Sequence, residues 1–217
     1  MGMIANYQPT TDIELEKITC LDDVEELQES EDIEICDIDK MWDALHFLLT
    51  GKSASEPIED DLISEAIVGQ FNISEEDFIS GTKADRVKEI ARALQEIDFE
   101  TYLDKFDMSA FSQNDIYPNI WGYEDEADEI KDDLRNSFEN LKKFYEKMAA
   151  LRNVSKSSLL ITQDGNLTCD VLTNNRLKSI NSTAVILVKS IERGGNLKNH
   201  WKIKKENITY PKLPIDV

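Results

Sequence analysis

A chain of 217 residues with 41% hydrophobic side chains is long and apolar enough to bury a sizeable core. Its formal charge of −20 sets it against nucleic acid and anionic membrane as partners of its acidic part, because phosphate is bound by Lys and Arg that displace counterions. No apolar run approaches the roughly 20 residues that span a bilayer, and MGMIANYQPT has neither the basic nor the apolar region of a signal peptide, so the expectation is a soluble cytoplasmic protein without a membrane partner.

The opening MGMIANYQ reads as a short extended segment closed by Pro9. Asp12 is placed to cap a helix in which Ile13, Ile18, Leu21, Val24 and Leu27 keep helical spacing up to an acidic loop at 29–32. Next comes DIDKMWDALHFLLTG, residues 37–51. At 100° per residue Ile38, Met41, Trp42, Leu45, Leu48 and Leu49 form one apolar arc, which predicts a helix with a buried face. Asp37 or Asp39 supplies the N-cap oxygen and Gly51 ends the helix. Asp39, Asp43, His46 and Thr50 fall together on its flank, while Phe47 points away from the arc, so the helix must be covered on more than one side.

Beyond Pro57, DDLISEAIVGQF is a short amphipathic helix stopped near Gly69, and 83–97 is another, with Val87, Ile90, Leu94 and Ile97 in register. DFETYLDKF predicts a third, with Phe99, Leu103 and Phe106 inward. Tyr117-Pro118 breaks the chain, since proline disfavours helix in the residue before it. The longest helix runs over 124–151, with Leu134, Phe138, Leu141, Tyr145, Met148 and Leu151 at i+3 and i+4 spacing.

Four of these strings, MGMI, DIDKMWDALHFLLTGKSA, DLISEAIVG and NDIYPNIW, resemble the YfbM-like family of small bacterial proteins of unknown function. The likeness runs from residue 1 to about residue 160. It implies a compact α+β domain, a mainly helical body packed on a small sheet, and it implies no activity. Nothing about residues 161–217 is carried over from it.

The tail changes character. SSLLITQDGNLTCDVL has the form of a hairpin with an Asp-Gly turn, and TAVILVKSIERGGNLKNHWKIKK repeats the plan around Gly194-Gly195. Residues 156–217 hold ten basic and five acidic side chains, against 14 and 39 in 1–155. Such asymmetry marks separate modules. The expected organisation is an acidic α+β domain over 1–160 and a basic, β-hairpin-rich extension over 161–217.

The candidate acid–base groups are Asp39, Asp43, His46, Glu56 and Asp115, and catalysis would need them to converge in one pocket. His46 is expected as a core-edge residue whose ring packs on Trp42 and whose nitrogens bond a carboxylate. Asp39 and Asp43 serve capping and solvation of a helix flank, since a hard cation needs more oxygen ligands than that strip supplies. YEDEADEIKDDL lacks the spacing and the glycine of a calcium loop and reads as a solvated helix N-terminus. Cys20, Cys36 and Cys169 are odd in number and contain no CxxC, so reduced thiols are expected rather than a disulfide framework or a zinc site. Nucleophile-elbow, P-loop, dinucleotide and zinc-protease motifs are all missing. No catalytic residue, metal or cofactor is therefore assigned.

What rises above background is charge. It points to a non-enzymatic interaction protein, of the inhibitor or immunity type, that docks on a basic protein with electrostatic steering. The alternative is a hydrolase-like enzyme or a small-molecule sensor with a pocket near Trp42, His46 and Tyr117. The residues through which either would act are Asp39, Trp42, Asp43, His46, Asp115, Tyr117 and Trp121.

Overall fold

The structure is a computed structural model that describes residues 2–30, 35–154 and 184–192. Its scaffold is a five-stranded antiparallel sheet built from β1 (Gly2–Thr10), β2 (Cys36–Asp37), β3 (Phe71–Ser74), β4 (Ile79–Thr82) and β5 (Ala184–Glu192). The strand order is β2-β1-β5-β4-β3. Strand β5 is the centre of this sheet. It pairs with β1 along its full length, from Gly2↔Glu192 to Thr10↔Ala184, and with β4 from Ile79↔Val188 to Thr82↔Val185. The expected division at 160/161 assigns this strand to the extension, whereas the structure seats it inside the sheet of the body. The other tail residues for which hairpins are expected lie outside the described residues.

Strand residues alternate between two faces, and each face has its own core. Ala5, Tyr7, Val185 and Leu187 join the larger one, under the helical layer; Ala184, Ile186 and Ile79 join a smaller one with Leu15, Ile18 and Val24. The small core is closed by α1 (Asp12–Leu15) and α2 (Leu21–Ser30). A single helix from Asp12 to the acidic loop was expected here, and the chain instead breaks it in two. Thr11, not Asp12, is the N-cap, its hydroxyl accepting the Glu14 N–H at 3.0 Å. Ile13 is 69% exposed and outside either core. The break is held by Asp23, whose Oδ2 accepts the N–H groups of Thr19 and Cys20 and the Thr19 hydroxyl, a local alternative to continuing the helix.

The larger core is covered by α3 (Trp42–Thr50), α4 (Leu62–Val68), α5 (Ala84–Glu96), α6 (Phe99–Leu103), α7 (Met108–Gln113) and α8 (Ala127–Val154). The period read for α8 is borne out at Leu134, Phe138, Leu141, Tyr145 and Met148, all buried, but Leu151 is exposed. Phe138 stacks on Phe99 with ring centroids 4.2 Å apart, which docks α6 on α8. Two buried tyrosines fasten the end of α4: Tyr7 donates to the Ile67 carbonyl at 2.9 Å and Tyr145 to the Ala66 carbonyl at 3.2 Å. A 3-10 turn, Asp39–Met41, precedes α3, and Asp37 Oδ1 accepts the Asp39 N–H there. Gly51 closes α3 at φ +78°, its N–H bonded to the Phe47 carbonyl. Phe47 meets Phe111 of α7 edge-on at 4.8 Å, the second cover that its angular position called for.

Candidate functional site

Two of the polar residues expected on the flank of α3 are buried: Asp43 is 4% exposed and His46 is fully enclosed. What covers them is the loop that leaves Gly51. Asp43 Oδ1 accepts the Ser53 hydroxyl at 2.9 Å and the Ala54 N–H at 2.6 Å, and its Oδ2 accepts the Tyr117 N–H at 2.8 Å. His46 Nδ1 lies 2.7 Å from the Lys52 carbonyl, and its Nε2 lies 2.8 Å from Ser64 Oγ. A carbonyl can only accept, so Nδ1 carries the proton and Nε2 accepts from the Ser64 hydroxyl. Ser64 Oγ in turn accepts the Ile58 N–H at 3.0 Å. The histidine bonds are therefore to a carbonyl and a hydroxyl, where a carboxylate partner was expected. Burial pushes the His46 pKa down, against the Lys52 bond and the field of Asp43, which favour the cation. With both nitrogens employed and the ring sealed, His46 holds the 52–64 loop to the helix and has no lone pair to offer a substrate.

The aromatic partners assemble one turn earlier. Trp42 stacks on Tyr117 with centroids 5.4 Å apart, and its Nε1 donates to the Met3 carbonyl at 3.1 Å. The Tyr117 hydroxyl accepts the Met3 N–H at 2.6 Å, so both rings are tied to β1. Over the Trp42 ring sits the ammonium of Lys189 from β5, its Nζ 4.1 Å from the centroid. Burial lowers the Lys189 pKa to about 8, with Asp43 pulling it back upward. Lys189 belongs to this group and was not among the residues expected. A signal for it exists, since alternation along AVILVKSIE puts Lys189 on the same face as Val185 and Leu187, where a lysine is out of place.

The structure thus brings Trp42, Asp43, His46 and Tyr117 into one bonded group. The other three candidates stand apart from it. Asp39 and Asp115 are exposed, each at φ +50°. Asp39 raises the Asp133 pKa, an effect second to burial of that carboxyl on α8. Trp121 is core: it is 4% exposed, donates to the Ile116 carbonyl and packs 4.6 Å from the Phe111 ring. Glu56 is exposed as well.

A separate cleft of about 730 Å³ opens between α1, the loop before α4 and the start of β3. It is lined by Asp12, Leu15, Glu16, Glu59, Asp60, Glu65, Gln70, Phe71 and Lys83, none of them among the expected site residues. Two of its carboxylates have structural work. Asp12 Oδ1 accepts the Ala84 N–H at 3.0 Å, and Glu65 forms a two-point pair with Arg86 at 2.5 and 2.8 Å. Glu16, Glu59 and Asp60 are exposed, and their carboxylates bond no other described residue. Asp61, next in the same acidic run, is instead consumed as the N-cap of α4, accepting from Ile63 and Ser64. Among the described residues no group of three or more His, Cys, Asp or Glu is arranged to hold a metal ion. Nor is any described helix long and apolar enough to cross a membrane.

Comparison with known proteins agrees with the resemblance read from the strings above. The family model described as a domain of unknown function, DUF1877, matches residues 1–154. Protein YfbM of Escherichia coli strain K12 is 28% identical over 114 residues, which cover 52% of this chain and 68% of that protein. The crystal structure of the Escherichia coli protein of unknown function YfbM superposes with a TM-score of 0.60 at 19% identity, covering 86% of this chain and 99% of the other, a likeness of fold.

Proposed function

Since the chain belongs to the DUF1877 family, whose function is unknown, we propose a role from its own surface: a non-enzymatic interaction protein whose acidic cleft receives a basic segment of a protein partner. The observation that carries this reading is the set of Glu16, Glu59 and Asp60, exposed around a cleft whose apolar wall includes Leu15 and the half-exposed Phe71. A lysine or arginine side chain suits that arrangement, its methylene stem against Phe71 and its charged head among the carboxylates. Among the described residues, Lys83 is the one cation on the lining, against five acids. The net charge of −20 adds long-range attraction for a basic partner, as in an inhibitor or immunity-type complex. The rival, an enzyme or sensor acting through Trp42, His46 and Tyr117, is less well supported, because the histidine it needs is enclosed and fully bonded.

The test is binding of a fluorescent Lys/Arg-rich peptide by the full chain. Affinity should fall steeply between about 0.1 M and about 1 M salt, as the Debye length shrinks from about 10 Å to about 3 Å. Converting Glu16 and Glu59 to Gln and Asp60 to Asn together should weaken binding about tenfold, the sum of three modest charge contributions. Neutralising Asp125 and Glu126 in the turn before α8 and Asp128 and Glu129 in its first turn, all four exposed, should cost much less. Equal losses from the two sets, or no binding at low salt, would remove the cleft as the docking place.

A further inference from the structure

Phe71 lies on β3, the edge strand, directly across from Gly81 of β4. Gly81 is buried and has no positive φ, so its backbone conformation does not call for glycine. What calls for it is space. A Cβ built there would come within 2.8 Å of the Phe71 Cζ, 2.9 Å of the Leu15 Cδ1 and 3.1 Å of the Ile73 Cδ1. The tip of the ring thus rests where a side chain would stand, and the ring is laid across the sheet as a cover for the glycine opposite. Phe71 still keeps 36% of its surface exposed, and it forms part of the cleft wall. Three other rings carry a cation: Lys189 lies over Trp42, Lys131 over Phe106 and Lys142 over Phe138. Among the described residues no cation lies over Phe71, and no second ring pairs with it.

We propose that the cleft selects arginine over lysine, a partner's guanidinium stacking on Phe71 while Glu16, Glu59 and Asp60 bond its edge. The inference rests on the reading of the cleft as a docking place for a basic segment, and it names the side chain that the cleft takes. A guanidinium is planar and weakly hydrated, so it lies on a ring while its five N–H donors, all in one plane, reach carboxylates around it. An ammonium is a compact, strongly hydrated charge that gains from the same carboxylates without using the ring. The acids stand on two sides of the cleft: Glu16 follows α1, and Glu59 and Asp60 belong to the loop before α4. The other two acids on the lining have partners, Asp12 in the Ala84 N–H and Glu65 in Arg86. Lys83 repels either cation alike and so does not discriminate. A cleft of about 730 Å³ falls within the range of about 300–1,000 Å³ of sites that enclose a small ligand, which suits one side chain with its flanking backbone. Gly81 then acts as a positioning residue, since its bare Cα is what lets the ring lie down.

The experiment titrates the full chain at low salt with two fluorescent peptides of equal length and charge, one built on arginine and the other on lysine. The arginine peptide should bind about fivefold tighter, the factor that one stacked cation adds. Phe71→Leu keeps an apolar cover on Gly81 but no π face, and it should remove the preference by weakening the arginine peptide alone. Gly81→Ala alters no charge and no side chain of the lining, but its Cβ displaces the ring. It should narrow the preference in the same way, which a mere loss of stability would not do. Equal affinity of the wild type for the two peptides would overturn the selectivity while leaving the docking reading in place, and so would a preference that survives Phe71→Leu with the fold intact by circular dichroism. Binding of neither peptide would remove both.

Discussion

At the scale of single residues, His46 shows how a side chain that invites a catalytic role can be wholly structural. Its neutral form is built in by the Lys52 carbonyl and the Ser64 hydroxyl, and burial lowers its pKa from the usual value near 6.5. A base whose folded pKa is depressed binds fewer protons than the unfolded chain does, so it costs stability as pH falls from about 6.5 toward the folded value. Urea midpoints of the wild type should therefore drop over that window, and His46→Gln should flatten the slope there while lowering stability at neutral pH by about 1–3 kcal/mol for the buried groups left unpaired. The same acid slope in both proteins would mean that other groups dominate. The position of His46 one turn after Trp42 was legible in the sequence. Its enclosure was not, because the covering groups, Lys52 and Ser64, come from a loop and from another helix, and no periodicity on α3 reports them.

The elements were legible to the extent that their own side chains set them. Helices α3, α5 and α8 carry long stretches of helical spacing, and Gly51 and Gly69 stop α3 and α4 where expected. The β3–β4 hairpin went unread because its connection, Glu75-Glu76-Asp77-Phe78, has no glycine and puts the positive φ of +54° on a phenylalanine. The split between α1 and α2 went unread for a similar reason, since Asp23 acts on backbone groups that show no pattern. The two stopping glycines are distinguishable by mutation. Both have positive φ, but a Cβ on Gly51 meets nothing within 4 Å, whereas on Gly69 it comes within 2.6 Å of the Ser80 Cβ. Gly51→Ala should cost about 1–2 kcal/mol, the left-handed penalty alone. Gly69→Ala adds overpacking of about 1–3 kcal/mol and should show a distinctly larger loss in chemical denaturation; equal losses would mean that the strand yields freely at Ser80.

For the whole molecule, family membership and the α+β class were readable from strings within the first 160 residues, whereas the sheet's organisation was not. Composition separates the tail from the body by charge, but charge says nothing about pairing, and the nine residues of β5 are apolar enough to be a central strand. Removing residues 184–217 would leave β1 paired only with the two residues of β2 and β4 only with β3, and take Val185 and Leu187 out of the larger core and Ala184 and Ile186 out of the smaller. The remaining fragment should lose its cooperative thermal transition, read by circular dichroism; a sharp transition at an unchanged temperature would show that the sheet closes without β5. The same topology imposes an order in time. Strand β1 leaves the ribosome some 180 residues before β5, the neighbour it pairs with along its full length, an interval of roughly 10–40 s at ordinary elongation rates. The nascent chain carries an open edge on β1 throughout it, and on β4 from the time that strand is made, and only β5 can fill them, so the protein's most vulnerable state belongs to its synthesis rather than to its finished fold.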